Sequence, residues 1–197
     1  MKQFFFLLLT LSFFSSIHAQ LNKGQWMVGG NAAFSTSSYS LPIYQGEMTF
    51  STTQLQINPG AGYFIIDKLS AGLRLTTDFT TAKTTSVQQS SYSDETKFTQ
   101  YGVSPFVRYY FLPKTNKVNL LADVSYSYLF SKSDAIGNGG SITKYNSHAY
   151  TFTAGPAFVL NAHVSLELTA SYEIFKTGAQ PPHIFMVNAG FQIHLGK

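Results

Sequence analysis

The chain has 197 residues, a formal net charge of +4 and no cysteine. Charged residues make up 11% of it and aromatic residues 16%, and its mean hydropathy is near zero. Such apolar content excludes disorder, and the missing cysteine removes disulfides, thiol catalysis, Cys-based metal sites and an anchor cysteine. The basic residues are dispersed, so nucleic acid is not an expected partner. Soluble domains carry about a quarter charged residues. Few charges, many aromatics and average hydropathy together fit a closed membrane barrel, in which half of each strand faces lipid.

The chain opens with Met1-Lys2 and the run FFFLLLTLSFF. Lys2 supplies a positive start, Phe4 to Phe14 an apolar core, and Ala19 a small residue for cleavage. A signal peptide over 1–19 and a single barrel domain over 20–197 are predicted, and losing Lys2 would lower the net charge to 4 − 1 = +3. The apolar run falls short of the ~20 residues a spanning helix needs. No later run is longer, so the chain can cross a membrane only with strands closed into a barrel.

A period of two then recurs along the chain, the mark of β-strands. Gln25 to Ser35 directs Trp26, Val28, Ala32 and Phe34 to one face. Leu55 to Ile65 and Leu69 to Phe79 follow with odd-numbered apolar residues. Tyr101 to Phe111 and Val118 to Tyr128 form the clearest pair, joined by the polar turn Pro113 to Asn116. Tyr150 to Leu160, Val164 to Ile174 and Phe185 to Leu195 complete eight predicted strands in up-and-down antiparallel order. The connections alternate. Asp67-Lys68 (with Ile66 for the parity count), Pro113 to Asn116 and Asn161 to His163 are tight, whereas 36–50, 80–97, 131–147 and 176–183 read as long polar loops. Short turns at one end and long loops at the other suit an outer-membrane barrel.

Loop parity supports the face assignment, because opposed residues must share a face. In the central hairpin the expected register sets Leu112 against Lys117, Arg108 against Leu121 and Phe106 against Asp123. Arg108 and Asp123 are then diagonal neighbours. Pro59, Pro105 and Pro156 lie on the apolar face and each lacks a ladder donor; bulges or local bends are expected there.

The other face carries Arg74, Asp78, Arg108, Asp123, Glu167 and Glu173. Charges inside a membrane-spanning wall are costly unless paired, so a charge network filling the interior is expected. The competing reading is a selective pore. Phe64, Phe106, Tyr110, Leu121 and Met186 on the same face favour the filled interior. His148, His163, His183 and His194 lie apart, so no metal site is predicted. Ser147, His148 and Glu173 could imitate a hydrolase trio, but adjacent residues on a strand point to opposite faces. No catalytic residue and no cofactor are predicted. Gly137 to Gly140 lacks the surroundings of a phosphate loop. Gly24-Gln25-Trp26 matches the G-x-W of lipocalins over three residues only.

Aromatics gather at both ends of the apolar face. Trp26, Tyr63, Tyr109, Phe111 and Phe158 lie near the short turns. Phe34, Phe79, Tyr128, Tyr150, Tyr172 and Phe185 lie near the long loops. Two such rings are the interfacial girdles of a bilayer barrel. With the N-terminal apolar run, KGQWMVGGNAAFS, GVSPFVRYYF and the closing GFQIHLGK, the chain resembles the small outer-membrane β-barrel proteins of the OmpA/OmpX type. The resemblance implies a monomeric barrel placed in the bacterial outer membrane by its assembly machinery, without a defined activity. A structural, adhesive or surface-binding role through the loops is the expectation. The alternatives are a lipid A acylase- or deacylase-like enzyme and a secreted lipocalin-like binder. Lys83, Lys97, Lys132, Lys144 and Lys176 fall in or beside the long loops, where they could meet lipopolysaccharide phosphates.

Overall fold

The computed structural model describes residues 21–44, 46–87, 92–136, 141–176 and 183–196. The expected signal peptide lies outside them, as does Gly137 to Gly140. Eight antiparallel strands close into a barrel: β1 (Trp26–Ile43), β2 (Gly46–Ile66), β3 (Leu69–Val87), β4 (Tyr92–Tyr110), β5 (Val118–Ile136), β6 (Ile142–Val159), β7 (Val164–Phe175) and β8 (His183–Leu195). Each strand pairs with its sequence neighbour, and β1 pairs with β8.

Three of the expected loops are strand instead. The stretches 36–50, 80–97 and 131–147 are largely continuations of β1 to β6, while most of 176–183 lies outside the described residues. These extensions lack apolar alternation, yet they are rich in Thr and Ser, and β-branched Thr favours an extended chain. Between β1 and β2 the outward side chains form a hydroxyl ladder: Thr36 faces Thr53 at 3.5 Å, Ser38 faces Ser51 at 3.0 Å and Ser40 faces Thr49 at 2.9 Å. Just below, Phe34 sits opposite Leu55 and the outer surface turns apolar. Three hairpins therefore rise as a polar wall above the membrane band, and β7–β8 is the low side.

The band itself alternates as expected. Leu73, Val107, Leu120, Val124, Leu168 and Val187 point outward and are half exposed, while the residues between them are buried. At the turn end Trp26 meets Tyr63 edge-on at 5.2 Å and Tyr109 meets Phe111 at 5.0 Å. At the other end Tyr128 packs on Phe130 at 4.8 Å and Tyr126 on Tyr150 at 5.1 Å.

One register expectation is corrected. In the central hairpin Tyr110 pairs with Leu121 and Arg108 directly with Asp123. The register is displaced by two residues, which keeps every side chain on its face but changes its partner. The cause is Asn119: its side chain accepts from the Leu112 amide at 3.0 Å and donates to the Leu112 carbonyl at 3.1 Å, so the chain leaves the ladder early. In the β2–β3 hairpin the expected register holds as far as Phe64↔Ser70, and the chain turns at Asp67 and Lys68. Lys68 takes φ 67°, and a register shift between Phe64 and Ile66 absorbs the odd residue.

The prolines do not form bulges. At Pro59, Pro105 and Pro156 the pairing with the next strand is interrupted and resumes in the same register, as from Val103↔Tyr128 to Phe106↔Ser125. Each gap is what a missing amide proton leaves. Inside the barrel, Ser104 and Ser127 meet at 2.7 Å across the Pro105 gap, and Thr76 joins Ser104 at 3.0 Å.

Candidate functional site in the barrel lumen

The lumen is layered. At the turn end it is closed by an apolar plug of Leu21, Met27, Phe64, Tyr110, Leu121 and Val159. Leu21 is only 1% exposed, because the segment before β1 folds under the barrel, where the Lys68 amide donates to the Leu21 carbonyl at 2.9 Å. Nothing in the alternation pointed to Leu21, since it precedes the first strand. The Lys114 ammonium clasps the same end, bonding to Asn22 and to Asp67 at 2.6 Å, while the Lys23 amide donates to Asp67 at 2.8 Å. The Lys114 hydrogen bond, helped by that amide, holds the Asp67 carboxyl below its ordinary range.

Above the plug lies the charge layer. Arg74 grips Asp123 with both terminal nitrogens, at 3.3 and 2.8 Å. Arg108 reaches Asp123 at 3.2 Å and Glu167 at 2.8 and 2.9 Å. The Tyr110 hydroxyl donates to Glu167 at 3.2 Å. The Arg74 guanidinium also stacks over the Phe106 ring at 4.7 Å. That ring lies on the paired Gly62 and Gly72, where a Cβ at Gly72 would come within 2.8 Å of it. Two cations thus face two anions, all nearly inaccessible to solvent. In a low dielectric, pairing of this kind offsets part of the desolvation cost that lone buried charges would carry.

A polar layer follows, built from Ser104, Ser127, Thr153, Ser171 and Asn188, around a void of about 30 Å³. That is room for roughly one water. Beyond it the lumen widens into a vestibule of about 290 Å³, open at the loop end. Asp78 and Glu173 stand here. They were expected in the same network as the other four charges, but they line the vestibule wall apart from it.

The remaining candidates are dispersed. Ser147 faces inward and is buried, whereas His148 faces outward and bonds through Nδ1 to the Tyr126 hydroxyl at 2.7 Å. Ser147, His148 and Glu173 form no hydrolase trio. His194 is buried against Phe64 and near Ser165, and His163 bonds to its carbonyl. No group of three or more metal-ligating side chains occurs among the described residues. Lys83 and Lys97 both pair with Glu95, at 3.0 and 3.3 Å, and Lys132 pairs with Asp134 at 3.2 Å. These lysines stand on strand extensions, not in loops. Lys144 lies directly opposite Lys132, and Lys176 is exposed just past β7.

An eight-stranded closed barrel with an apolar belt, two aromatic girdles and a filled interior defines a small membrane barrel. The chain belongs to the family described as outer membrane protein beta-barrel domain, which matches residues 5–196. Its place is therefore the bacterial outer membrane. No curated protein matches it. Among solved structures it is similar to Neisserial surface protein A, with 19% identity and a TM-score of 0.53 over 85% of this chain and 96% of the other. It is also similar to OprG of Pseudomonas aeruginosa, with 15% identity and a TM-score of 0.55 over 91% of this chain and 100% of the other. Identities this low speak for the shared fold.

Proposed function

We propose that this outer-membrane barrel is a non-enzymatic surface protein. It projects the upper halves of β1 to β6 from the cell as a stiff binding wall. The observation that carries this reading is the continuation of three hairpins as paired strands past the outer aromatic girdle. Paired strands hold a fixed surface, where loops would have to be ordered on binding. The separation of Ser147 from His148 argues against the lipid-modifying alternative, and the apolar exterior argues against a soluble lipocalin-like binder.

The lower part of the wall suits lipopolysaccharide. Lys83, Lys97, Lys132 and Lys144 stand four to six residues beyond Phe79, Tyr101, Tyr128 and Tyr150. For tilted strands this is roughly 10–15 Å past the girdle, the headgroup level. Lys132 and Lys144 oppose each other beside Phe130 and Tyr145, and an anionic phosphate between them would relieve a like-charge pair. Lys176 would add to this contact at the low side. The barrel would enter the membrane through the assembly machinery and act as a monomer.

The native absence of cysteine makes the topology testable. Thr85→Cys should react with a membrane-impermeant maleimide on intact cells. Asn116→Cys should react only after the outer membrane is permeabilised. Labelling of Asn116→Cys on intact cells would invert the orientation and end the proposal. For the lipid contact, lipopolysaccharide should raise the melting temperature of the refolded barrel, less so in high salt. Changing the five lysines to Gln should abolish that gain.

A further inference from the structure

We propose that the vestibule binds a small organic cation, a primary ammonium attached to an apolar or aromatic body. Its charge is unbalanced. Asp78 and Glu173 line it, and no Lys, Arg or His does among the described residues. Among the described residues Asp78 accepts only from neutral donors, Gln54 and Thr80. Glu173 is 6% exposed and has neither a hydrogen bond nor an ion pair among the described residues; its electrostatic neighbour is Asp78, a like charge. Arg74 touches the void beneath, alongside Glu173, but both its terminal nitrogens are held by Asp123. A desolvated carboxylate facing another is unfavourable until a proton or a cation joins it.

A second, independent feature points to a ligand. Ser147 also lines the vestibule, is 3% exposed, and its Oγ has no hydrogen-bond partner among the described residues. A buried hydroxyl left unpaired carries a desolvation cost, and such groups commonly mark a missing partner. An ammonium offers three donors, enough for Glu173, Asp78 and the Ser147 hydroxyl. The rest of the wall is chosen for an organic body. Phe98, Tyr145 and Phe175 face the same space, and aromatic faces attract cations and cover apolar groups. A divalent metal would want more oxygen ligands than two carboxylates on separate strands. The volume of about 290 Å³ limits the guest to a single small amine. Among the described residues it opens at the loop end.

The test uses the refolded full-length mature barrel in detergent and isothermal titration with 2-phenylethylammonium. Uncharged 2-phenylethanol and Ca²⁺ serve as competing probes. The ammonium should bind in the millimolar range or tighter. Phenylethanol should bind roughly tenfold weaker or worse, because the charge-assisted bonds are lost. Glu173→Gln should weaken the ammonium by a similar factor. Ser147→Ala should weaken it by roughly fivefold. The latter change removes no hydrogen bond among the described residues, so it keeps the test decisive if Glu173→Gln does not fold. Heat-modifiable migration verifies the fold of each variant. Equal binding of phenylethanol, an unchanged affinity in either folded variant, or no heat with the ammonium would overturn the proposal. So would Ca²⁺ displacing the ammonium at equal concentration, which would make this a metal site.

Discussion

Asp123 is the residue on which the interior turns, because Arg74 and Arg108 converge on it from β3 and β4. Asp123→Ala should destabilise the barrel by about 3–5 kcal/mol, since it strands the buried Arg74 guanidinium and leaves Arg108 with Glu167 as its one carboxylate partner. Adding Arg74→Met should recover part of that loss, with the non-additivity read from urea unfolding of the three variants. A simple sum of the single effects would show that the pair is uncoupled. At the turn end the chemistry is acid-sensitive. The Asp67 carboxyl is held below its ordinary 3.8 by Lys114, so its stabilisation is complete above that value and is lost as the pH falls below it. Melting temperature measured down this range should drop more in the native chain than in Lys114→Gln. The six inner charges were readable from alternation, because facing is a local property. Their grouping was not. A two-residue slip at Asn119 conserves the face yet exchanges Leu121 for Asp123 opposite Arg108, and the Arg74–Asp123 pair depends on how the whole sheet curls.

At the scale of strands, the outward surface of β1 and β2 is written in two scripts, apolar below and hydroxyl above, and the upper half of β3 is likewise rich in Thr. The apolar half was legible in the sequence, because Val107, Val124 and their neighbours alternate with small or polar residues. The hydroxyl half was not, because FSTSSYS and TTAKTTSV alternate nothing that a hydropathy pattern detects. The signal present was Thr content. Val107→Arg, at the middle of the band, should cost about 2–4 kcal/mol, whereas Thr85→Arg, in the upper half of β3, should cost close to nothing. Urea unfolding of the refolded variants in lipid vesicles compares them. Equal costs at both sites would remove the lipid-facing assignment. The prolines at 59, 105 and 156 belong to this scale as well. They cut one ladder each without displacing register, so they weaken a strand pair locally while the serine cluster at 104 and 127 spans one of the gaps.

For the whole molecule, the plug and charge layers together predict an insulating barrel. Planar-bilayer recording should show no stable conductance steps of porin size. Such steps would mean that the Leu21 segment or the Arg108 layer moves aside. The general architecture was legible from end to end, with three short connections where they were expected and the central one displaced in register by two residues. What escaped was that three of the four long polar stretches continue as paired strand, so that β1 to β6 are tall and β7 and β8 short.

The seam between β1 and β8 runs only from Trp26↔Leu195 to Ala32↔Ala189, although both strands continue beyond it. Every other pairing joins neighbours in the chain and can form as soon as a hairpin is made. This one must bring the two ends of the domain together, so its loop-closure entropy is the largest and it should be completed last. The order of events is then a curled sheet of hairpins first and a ring second. The seam is also where backbones approach closely: a Cβ at Gly190 would lie 2.5 Å from the Gly30 carbonyl oxygen. Gly190→Val should therefore leave the early rise of β-sheet circular dichroism unchanged during refolding and delay the fast-migrating gel band. Closure, rather than strand formation, would set the time the chain needs to mature.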